Sequence, residues 1–367
     1  MSEHSVQARL IAFYLPQYHP IPENDLWWGK GFTEWVTVAK ARPMFRDHYQ
    51  PHIPADLGFY DLRLPQTRQA QADLASDHGI EGFCYWHYWL GNGRRLLERP
   101  FDEVLASGVP DFPFCLGWAN HPWVGGWFGS QDKLLVDQKY PGPEDSRSHF
   151  KFLLKAFEDP RYITVNGRPL FYIYLPYEIP DVAQVLESWR ELAHSAGLNG
   201  LYIVGENLPV EQSEKLGFDA VSYSYHRRIS FIKNHARGEI KKKVLAVVRK
   251  LLQRPEVYSY EHAMKYFLKE GVVPRNEHPT IVPGWDSTPR LGHRGVVLQG
   301  STPDLFRRHV QDAVSRVAYK PFEERILFVK SWNEWAEGNY MEPDQKFGRK
   351  FLEALRDEVL SDSKDLV

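Results

Sequence analysis

Cysteine, long apolar runs and an excess of either charge are all scarce in this sequence. Its 367 residues include two cysteines, Cys84 and Cys115, and both lie in apolar runs. This argues against a disulfide framework and favours buried thiols in a reducing compartment. No segment reaches the roughly 18 consecutive apolar residues that a membrane-spanning helix needs. The net charge of −2 leaves no basic excess to neutralise phosphates, so we expect no nucleic-acid partner.

Several signals of cofactor and metal enzymes are also missing. No GxGxxG or phosphate-binding loop follows a strand, and there is no HExxH zinc motif and no GxSxG nucleophile elbow. His48 and His52 have the spacing of a helical metal-binding pair, but Pro51 and Pro54 argue against a helix there. We therefore expect neither a cofactor nor a metal. The polar segment 1–9 lacks the features of a secretory signal, which predicts a cytoplasmic protein.

Aromatic residues, in contrast, are abundant. The chain has 12 Trp, 19 Tyr and 21 Phe, many of them beside Gly, Asn, His or Pro rather than in periodic core patterns. Flat rings with a polar edge can stack on the C–H-rich faces of sugars. Part of this set is expected to fill the core, and the remainder favours a carbohydrate ligand.

Short apolar runs alternate with helical patterns along the chain. Most runs are continuously apolar, as in parallel strands that are covered on both faces. Eight strands that alternate with helices favour a (β/α)8 TIM barrel, an α/β fold, over a doubly wound sheet. The predicted strands are 10–15, 82–86, 113–118, 170–175, 201–205, 220–223, 280–284 and 326–332. The predicted helices are 64–78, 146–158, 182–196, 302–317 and 346–360, with Asp181 and Thr302 as N-caps and Gly197 ending a helix.

The length suits one barrel with insertions, and we predict a single catalytic domain over 1–367. Two long segments rich in Trp, Pro, Gly and His, 16–63 and 119–144, follow the first and third strands. Long irregular loops within a compact domain are usually functional. We expect these loops at the C-terminal face of the barrel, where the active sites of this fold lie.

A basic helical insertion is predicted at about 227–275. Its segment 227–254 contains ten Lys or Arg and one acid, Glu239, and apolar residues recur at roughly helical spacing over 241–252. One interpretation is a weak contact with an anionic membrane surface or a lipid-linked pyrophosphate. The other is a solvated helix whose apolar stripe packs on the barrel.

The strongest local signal is the run SWNEWAEG at 331–338, directly after the last strand. Two acids three residues apart point to opposite faces of a strand but share one side of a turn. The chain must therefore leave the strand near Asn333, and Gly338 permits the bend. Beside Trp332 and Trp335, Glu334 and Glu337 would form the acid and base pair that glycoside cleavage needs. The alternative is a pair of ordinary exposed loop acids.

Polar and aromatic side chains also follow most of the other strands. In a barrel these positions meet at the catalytic face, and several together are harder to explain by packing than any one alone. The predicted sugar site comprises Tyr14, Tyr18, His19, Trp28, Trp35, His52, Trp86, His87, Tyr88, Trp118, Asn120, His121, Glu206, Asn207, Tyr223, Trp285, Asn333 and Trp335.

Long, unusual runs in a fixed order resemble one protein family. They include AFYLPQYH at 12–19, WGKGFTEW at 28–35, GFCYWHYW at 82–89, PGWDSTPR at 283–290 and WNEWAEG at 332–338. Over nearly the whole chain they resemble the WbsX-like proteins of bacterial surface-polysaccharide gene clusters. These are related to the endo-acting α-mannosidases of glycoside hydrolase family 99.

This resemblance implies a (β/α)8 barrel and a retaining, neighbouring-group mechanism without an enzyme–sugar ester. It implies that Glu334 takes the proton of the sugar 2-hydroxyl. It also implies that Glu337 protonates the leaving oxygen and later activates water.

One run departs from the family pattern. After the third strand these proteins usually read Trp-Ala-Asn-Glu-Asn-Trp, whereas this chain has WANHPW at 118–123. His121 and Pro122 thus replace an acid and an amide. Because this loop is expected to line the sugar site, we expect a substrate that differs from the family norm.

Three interpretations of function remain open. The first is a glycoside hydrolase or transglycosylase that acts on a bacterial surface polysaccharide or its lipid-linked precursor. The second is a glycosyltransferase of O-antigen or lipopolysaccharide biosynthesis, although the chain has neither a nucleotide phosphate loop nor an Asp-x-Asp motif. The third is a non-catalytic glycan-binding barrel, against which the intact glutamate pair argues. In each case the expected partner is an oligosaccharide or polysaccharide.

Overall fold

The computed structural model describes residues 4–125, 133–224, 251–268 and 271–362. Its central sheet is parallel, and the strands occupy eight successive positions of a closed barrel. The barrel strands are β1 (Arg9–Tyr14), β2 (Gly82–Trp89), β3 (Phe114–Trp118), β4 (Arg168–Ile173), β5 (Tyr202–Glu206), β6 (Ala220–Ser222), β7 (Glu277–His278 and Thr280–Ile281, on either side of Pro279) and β8 (Ile326–Val329). β8 pairs with both β7 and β1, which closes the sheet. The predicted (β/α)8 barrel is confirmed.

The strands form because apolar residues cover both faces of the sheet. Ile11, Val204 and Leu327 lie on three different strands, and each is fully buried. Burial on both faces is what a parallel sheet covered by helices requires. Cys84 and Cys115, opposite each other on β2 and β3, are buried free thiols, as the sequence predicted.

Helices lie between the strands and after the last one. They are α1 (Pro22–Trp28), α2 (Glu34–Lys40), α3 (Pro65–Ser76), α4 (Arg99–Ser107), α5 (Pro143–Phe157), α6 (Val182–Ser195), α7 (Val210–Ser213), α8 (Tyr260–Met264), α9 (Thr288–Leu291), α10 (Pro303–Val317) and α11 (Lys350–Val359). The five predicted helices correspond to α3, α5, α6, α10 and α11.

Two of the three predicted helix-end residues have the expected role. The Thr302 side chain accepts a hydrogen bond from the Leu305 N–H at the start of α10, and Gly197 follows α6 with a φ of 86°. Asp181 occupies the N-cap position of α6 as predicted, but its side chain does not cap the helix. It has a φ of 47° and makes no capping hydrogen bond, so the start of α6 is fixed by the backbone and by packing.

The long segment after β1 contains structure that the sequence did not reveal. α1 and α2 have seven residues each, which is too short for apolar periodicity to be visible. α4 was also missed, although Phe101 and Val104 form an apolar stripe on it.

Several short strand pairs lie outside the barrel path. They are His4–Val6 with Leu360–Asp362, Arg95–Leu96 with β2, Trp123–Val124 with Leu134–Val136, Thr164–Val165 with β4, Glu256–Ser259 with Val296–Gln299, and Asn333–Glu334 with Asn339–Tyr340. The last pair follows β8 and shapes the site described below.

Residues 225–250, which include about half of the predicted basic insertion, lie outside the described residues. The predicted membrane or pyrophosphate contact of 227–254 therefore stays a prediction. The described remainder includes α8, where Tyr260 packs with Phe267 and Val282 in a small second core. Within the described ranges, no helix combines the length and the apolar character needed to cross a bilayer.

Candidate active site

Beyond β8 the chain folds into a small hairpin. Asn333–Glu334 pairs with Asn339–Tyr340 in antiparallel fashion, and one turn of 3-10 helix, Trp335–Glu337, lies between them. Gly338 ends this turn with a φ of 56°. The turn brings both glutamates of the motif to the same cavity.

Gly338→Ala is expected to lower the free energy of unfolding by about 1–3 kcal/mol more than Gly348→Ala does. The two glycines have nearly the same left-handed backbone, with φ values of 56° and 58°, so the backbone term is matched. A Cβ on Gly338 would lie 2.7 Å from the Cβ of Asp286, whereas a Cβ on Gly348 would meet nothing within 4 Å. Equal losses of stability in urea unfolding would contradict this account.

A cavity of about 340 Å³ opens beside the hairpin. It lies at the C-terminal end of the barrel, because its residues come from the ends of β1, β2, β3, β4, β7 and β8 and from the loops that follow. Its volume is at the low end for small-ligand pockets. In the described ranges, no group of three or more His, Cys, Asp or Glu could hold a metal ion. The lining comprises Leu15, Gln17, Trp86, Tyr88, Ala119, His121, Trp123, Tyr174, Trp285, Ser287, Arg290, Leu291, Val296, Lys330, Glu334 and Glu337.

The Glu334 carboxyl is buried in the wall of this cavity. It is 6% exposed, and the Trp86 indole N–H donates to its Oε1 at 3.0 Å. Burial, followed by the charge and hydrogen bond of Glu337, raises the pKa of Glu334 from 4.5 to about 7. Lys330 and Arg290 act in the opposite direction. The two carboxyls can therefore share one proton near neutral pH.

Glu337 is held by an arginine that also binds a second acid. Arg290 Nη1 donates to Glu337 Oε1 at 2.6 Å. The same guanidinium donates to Glu34 Oε1 through Nε at 3.1 Å and through Nη2 at 2.5 Å. Glu34 has no exposed surface, and burial raises its pKa although Arg290 lowers it.

The Arg290 guanidinium keeps its positive charge. Burial by itself would lower the pKa of Arg290, but Glu34, Glu337 and Glu334 together raise it well above its ordinary value. Arg290 therefore stays charged, and its hydrogen bond favours the ionised form of Glu337.

Side chains behind the hairpin fix its position on the barrel. Asn333 Oδ1 accepts from the Leu15 N–H at 2.7 Å, and its Nδ2 donates to the Leu15 carbonyl at 3.1 Å. The Tyr18 hydroxyl donates to the Asn333 carbonyl and accepts from the Trp335 N–H. Asn333 and Tyr18, both predicted to bind sugar, thus hold the two glutamates in place.

A further buried acid, Glu342, anchors the hairpin from below. It accepts hydrogen bonds from Trp335 Nε1 at 2.6 Å, from Gln71 Nε2 at 2.7 Å and from the Tyr60 hydroxyl at 2.9 Å. Burial raises its pKa to about 7, against the effect of these hydrogen bonds. It does not line the first cavity, so we interpret it as a positioning residue.

Neighbouring residues of β2 point to opposite sides of the barrel wall. Trp86 and Tyr88 line the cavity. His87 between them faces α5, where its Nε2 lies 3.0 Å from His149 Nε2. Alternation along a strand thus separates one predicted sugar-binding residue from its two neighbours.

Four more predicted site residues support the scaffold and do not line the cavity. The Tyr14 hydroxyl donates to Gln71 at 2.7 Å, and the Trp118 indole donates to a backbone carbonyl at 2.9 Å. The Asn120 amide bonds the main chain beyond β4 through both its oxygen and its nitrogen. His19 Nδ1 lies 3.0 Å from a carbonyl of its own loop, and burial lowers its pKa to about 4.

Aromatic residues of the first long loop pack behind the hairpin. The Trp35 ring lies 5.5 Å from that of Trp335 and 4.8 Å from that of Tyr18. Trp28 is half-buried, with its ring 6.0 Å from that of Phe32. Trp35 thus supports the hairpin from outside the cavity, whereas Trp28 packs on Phe32 within the loop.

The remaining predicted residues lie to either side of the cavity. His52 lines a second cavity of about 220 Å³. Trp285 borders both cavities and separates them. Glu206, Asn207 and Tyr223 lie at the ends of β5 and β6, outside the lining of the first cavity.

Three charged residues of the site were not predicted: Glu34, Arg290 and Lys330. Glu34 and Arg290 belong to runs that carry the family resemblance, and Lys330 directly precedes the glutamate motif. The sequence feature that could have identified these three residues is that each is a charged residue within or directly beside an aromatic run. Their mutual contacts could not be read from the sequence, because Glu34 and Arg290 are 256 positions apart.

A family described as Glycosyltransferase WbsX matches residues 10–355. The chain belongs to the WbsX family. Its curated relatives include the uncharacterized protein WxcX from two strains of Xanthomonas campestris pv. campestris. Each is 35% identical over 360 residues, which is 96% of this chain and 50% of the relative. This WbsX member thus spans about half the length of the curated relatives it matches.

Solved structures share the barrel of this WbsX member. A glycoside hydrolase-like protein has a TM-score of 0.56 at 16% identity, over 97% of this chain and 95% of that chain. An endo-α-mannosidase of glycoside hydrolase family 99 from Bacteroides thetaiotaomicron, in complex with Bis-tris propane, has a TM-score of 0.54 at 16% identity, over 97% of both chains. At these identities the likeness shows the fold. WbsX membership together with this fold indicates a carbohydrate-active enzyme.

Proposed function

We propose that this protein is a retaining glycoside hydrolase that acts on a bacterial surface polysaccharide or its precursor. The observation that carries the proposal is the Glu334–Glu337 pair in an aromatic-walled cavity, with one carboxyl titrating near neutral pH. Glycoside cleavage needs one group that protonates the leaving oxygen and another that acts as base or nucleophile. Membership in the WbsX family supports a glycan substrate.

In the proposed mechanism the sugar supplies its own nucleophile. Glu334 takes the proton of the 2-hydroxyl, and the 2-oxygen attacks C1. As the bond from C1 to the leaving oxygen breaks, Glu337 gives its proton to that oxygen. In the second step Glu337 takes a proton from water, the water oxygen attacks C1 and opens the C1–O2 bond, and Glu334 returns its proton to O2. Two inversions at C1 give net retention.

The resting position of the shared proton constrains this mechanism. Arg290 favours an ionised Glu337, and the raised pKa of Glu334 favours the proton on Glu334. The first step of the mechanism needs the opposite arrangement, with Glu334 ionised and the proton on Glu337. The side-chain hydrogen bond between the two carboxyls offers a direct route for the proton. We propose that the incoming 2-hydroxyl replaces Glu337 as the partner of Glu334 and so completes the transfer.

His121 supports a substrate that differs from the family norm. It lines the cavity where the family usually has an acid, and burial lowers its pKa although the Pro122 carbonyl raises it. The Pro122 carbonyl, 3.0 Å from His121 Nδ1, can only accept, so the neutral imidazole carries its hydrogen on Nδ1 and keeps Nε2 as a single uncharged acceptor. A carboxylate offers two charged acceptor oxygens, so a sugar that donates two hydrogen bonds to the usual acid would lose one of them here.

Glycosyl transfer is the second candidate, because the matching family is described as a glycosyltransferase. Mass spectrometry of products separates the two. The protein would be incubated with bacterial polysaccharides and oligosaccharides, and separately with nucleotide sugars and acceptors. Shortened glycans formed without a donor would support hydrolysis. Sugar addition that requires a nucleotide donor would overturn the hydrolase proposal and the neighbouring-group mechanism.

The kcat/KM of the proposed reaction is expected to fall as the pH rises through about 7. The Glu334–Glu337 pair must carry one proton for the reaction. That proton is bound when the pH is below the raised pKa of Glu334 and is lost when the pH is above it. Initial rates would be measured from about pH 5 to 9. Glu342 also has a pKa of about 7, so Glu342→Gln is the matched control. This variant should keep the alkaline limb of the profile, which is the fall in kcat/KM above about pH 7. Constant activity up to pH 9 would contradict a required shared proton.

A further inference from the structure

Lys330 lies at the floor of the first cavity, directly after β8. Its N–H donates to the Ile281 carbonyl at 2.9 Å, which fixes its backbone between β7 and β8. The residue is 5% exposed, and its side chain belongs to the cavity lining. The proposed mechanism gives this lysine no task.

Aromatic faces surround the ammonium group. Nζ lies 5.8 Å from the ring centroids of both Phe13 and Trp86 and 6.0 Å from that of Tyr174. The faces of these rings attract a cation but are not conventional hydrogen-bond acceptors. No hydrogen bond from Nζ is recorded within the described ranges, although an ammonium carries three donors.

A second buried lysine shows the contrasting, structural arrangement. Lys320 is 1% exposed, and its Nζ donates to the Glu277 carbonyl. Burial lowers the pKa of Lys320 to about 8. Buried polar groups normally have such partners, because leaving their donors unused is unfavourable. Lys330 differs in that its donors face a cavity that a ligand can fill.

The charge of Lys330 is already balanced by the protein. Burial would lower its pKa, but Glu206 and Glu334, followed by Tyr174 and Glu337, raise it above the ordinary value. Glu206 is 2% exposed and lies at the end of β5. Because these carboxylates compensate the ammonium, an acceptor that fills the cavity does not need a charge of its own.

We propose that Lys330 is a specificity-determining residue whose ammonium donates hydrogen bonds to a hydroxyl or ring oxygen of an uncharged sugar. The sugar would rest on the floor of the cavity beside Glu334. This inference rests on the proposed function only in taking a sugar as the ligand. It requires binding and does not require hydrolysis.

The test is a binding titration with methyl glycosides of glucose, galactose and mannose, followed by saturation-transfer NMR. Wild type would be compared with Lys330→Met, Lys330→Arg and a surface control, Lys155→Met. Loss of a charge-assisted hydrogen bond should weaken binding of the best glycoside about tenfold to a hundredfold in Lys330→Met. Lys330→Arg should recover part of the loss, and Lys155→Met should bind like wild type. Thermal unfolding of each variant verifies that it is folded.

A second readout tests whether the charge of Lys330 acts at Glu334, which a merely structural lysine would not do. Lys330 lowers the pKa of Glu334, so Lys330→Met should move the alkaline limb of kcat/KM to higher pH.

A folded Lys330→Met variant that binds glycosides as wild type does would overturn the inference while leaving hydrolysis intact. Failure of wild type to bind any of these glycosides would also overturn it. Methyl glucuronide, titrated in the same way, serves as the charged comparison. If the wild type preferred it over all neutral glycosides, the proposal of an uncharged ligand would be contradicted. Binding without polymer shortening would support this inference and contradict only the hydrolase proposal.

Discussion

Glu337→Gln is expected to lower kcat on a natural glycan about 10²- to 10⁴-fold, the range that proton transfer by a positioned side chain contributes. Glutamine cannot give a proton to the leaving oxygen or take one from water. Its amide oxygen can still accept from Arg290, so the shape of the site and the affinity for glycan should change little. Release of reducing ends would give kcat and KM. Glu353→Gln, an exposed acid on α11, is the matched control and should have wild-type activity.

An activated substrate distinguishes the roles of the two acids. An aryl glycoside with an acidic phenol as leaving group departs without protonation. Glu337→Gln should therefore recover its first step on this substrate, whereas Glu334→Gln should stay inactive because the 2-hydroxyl still needs a base. Rescue of Glu334→Gln instead would show that the roles are reversed. That reversal would agree with the resting proton on Glu334 and would contradict the roles taken from the family resemblance.

Arg290→Met is expected to have the second largest effect, on both stability and activity. Removing one partner of a buried ion pair typically lowers the free energy of unfolding by about 3–5 kcal/mol. Arg290 borders the cavity with 15% of its side chain exposed, so we expect the lower end of that range. The loss arises because Glu34, with no exposed surface, keeps its charge without a partner or must take up a proton. Urea unfolding near pH 7 would measure it.

Two comparisons make this prediction specific. Arg308→Met removes an exposed arginine paired with Glu261 and should change stability by less than about 1 kcal/mol. The double variant Glu34→Gln/Arg290→Met removes both charges and should be more stable than Arg290→Met alone. If the double variant were the less stable of the two, the unpaired carboxylate would not be the cause of the loss.

Loss of Arg290 should also alter the pH profile. Arg290 favours the ionised form of Glu337 and lowers the pKa of Glu334. Its removal should therefore move the alkaline limb of any residual activity to higher pH. A folded Arg290→Met variant with an unchanged pH profile would show that the arginine does not tune the glutamate pair.

Local patterns were sufficient to predict the barrel and the glutamate pair. Strands buried on both faces are continuous apolar runs, and β1 and β8 were visible in the sequence for that reason. Glu334 and Glu337 are three residues apart, so one turn ending at Gly338 is enough to bring them together. Such features depend on neighbouring residues, and these are what a sequence records directly.

Tertiary structure decided which side chains reach the cavity. The run at 82–89 has Phe, Tyr or Trp at five of its eight positions, on both sides of the strand, so its pattern does not distinguish the cavity side of the wall from the helix side. Only the closed barrel turns Trp86 and Tyr88 inward and leaves His87 against α5. The charged contacts of the site depend on the same closure. Arg290 reaches Glu34 because β7 and β1 both lie beside β8, and Lys330 has its donors in a cavity because aromatic walls from β1, β2 and β4 surround it. The sequence by itself determined the barrel strands, five of the longer helices and the local motif. The ionisation of the motif was set by folding, because burial and distant charges control a pKa only after the chain has closed.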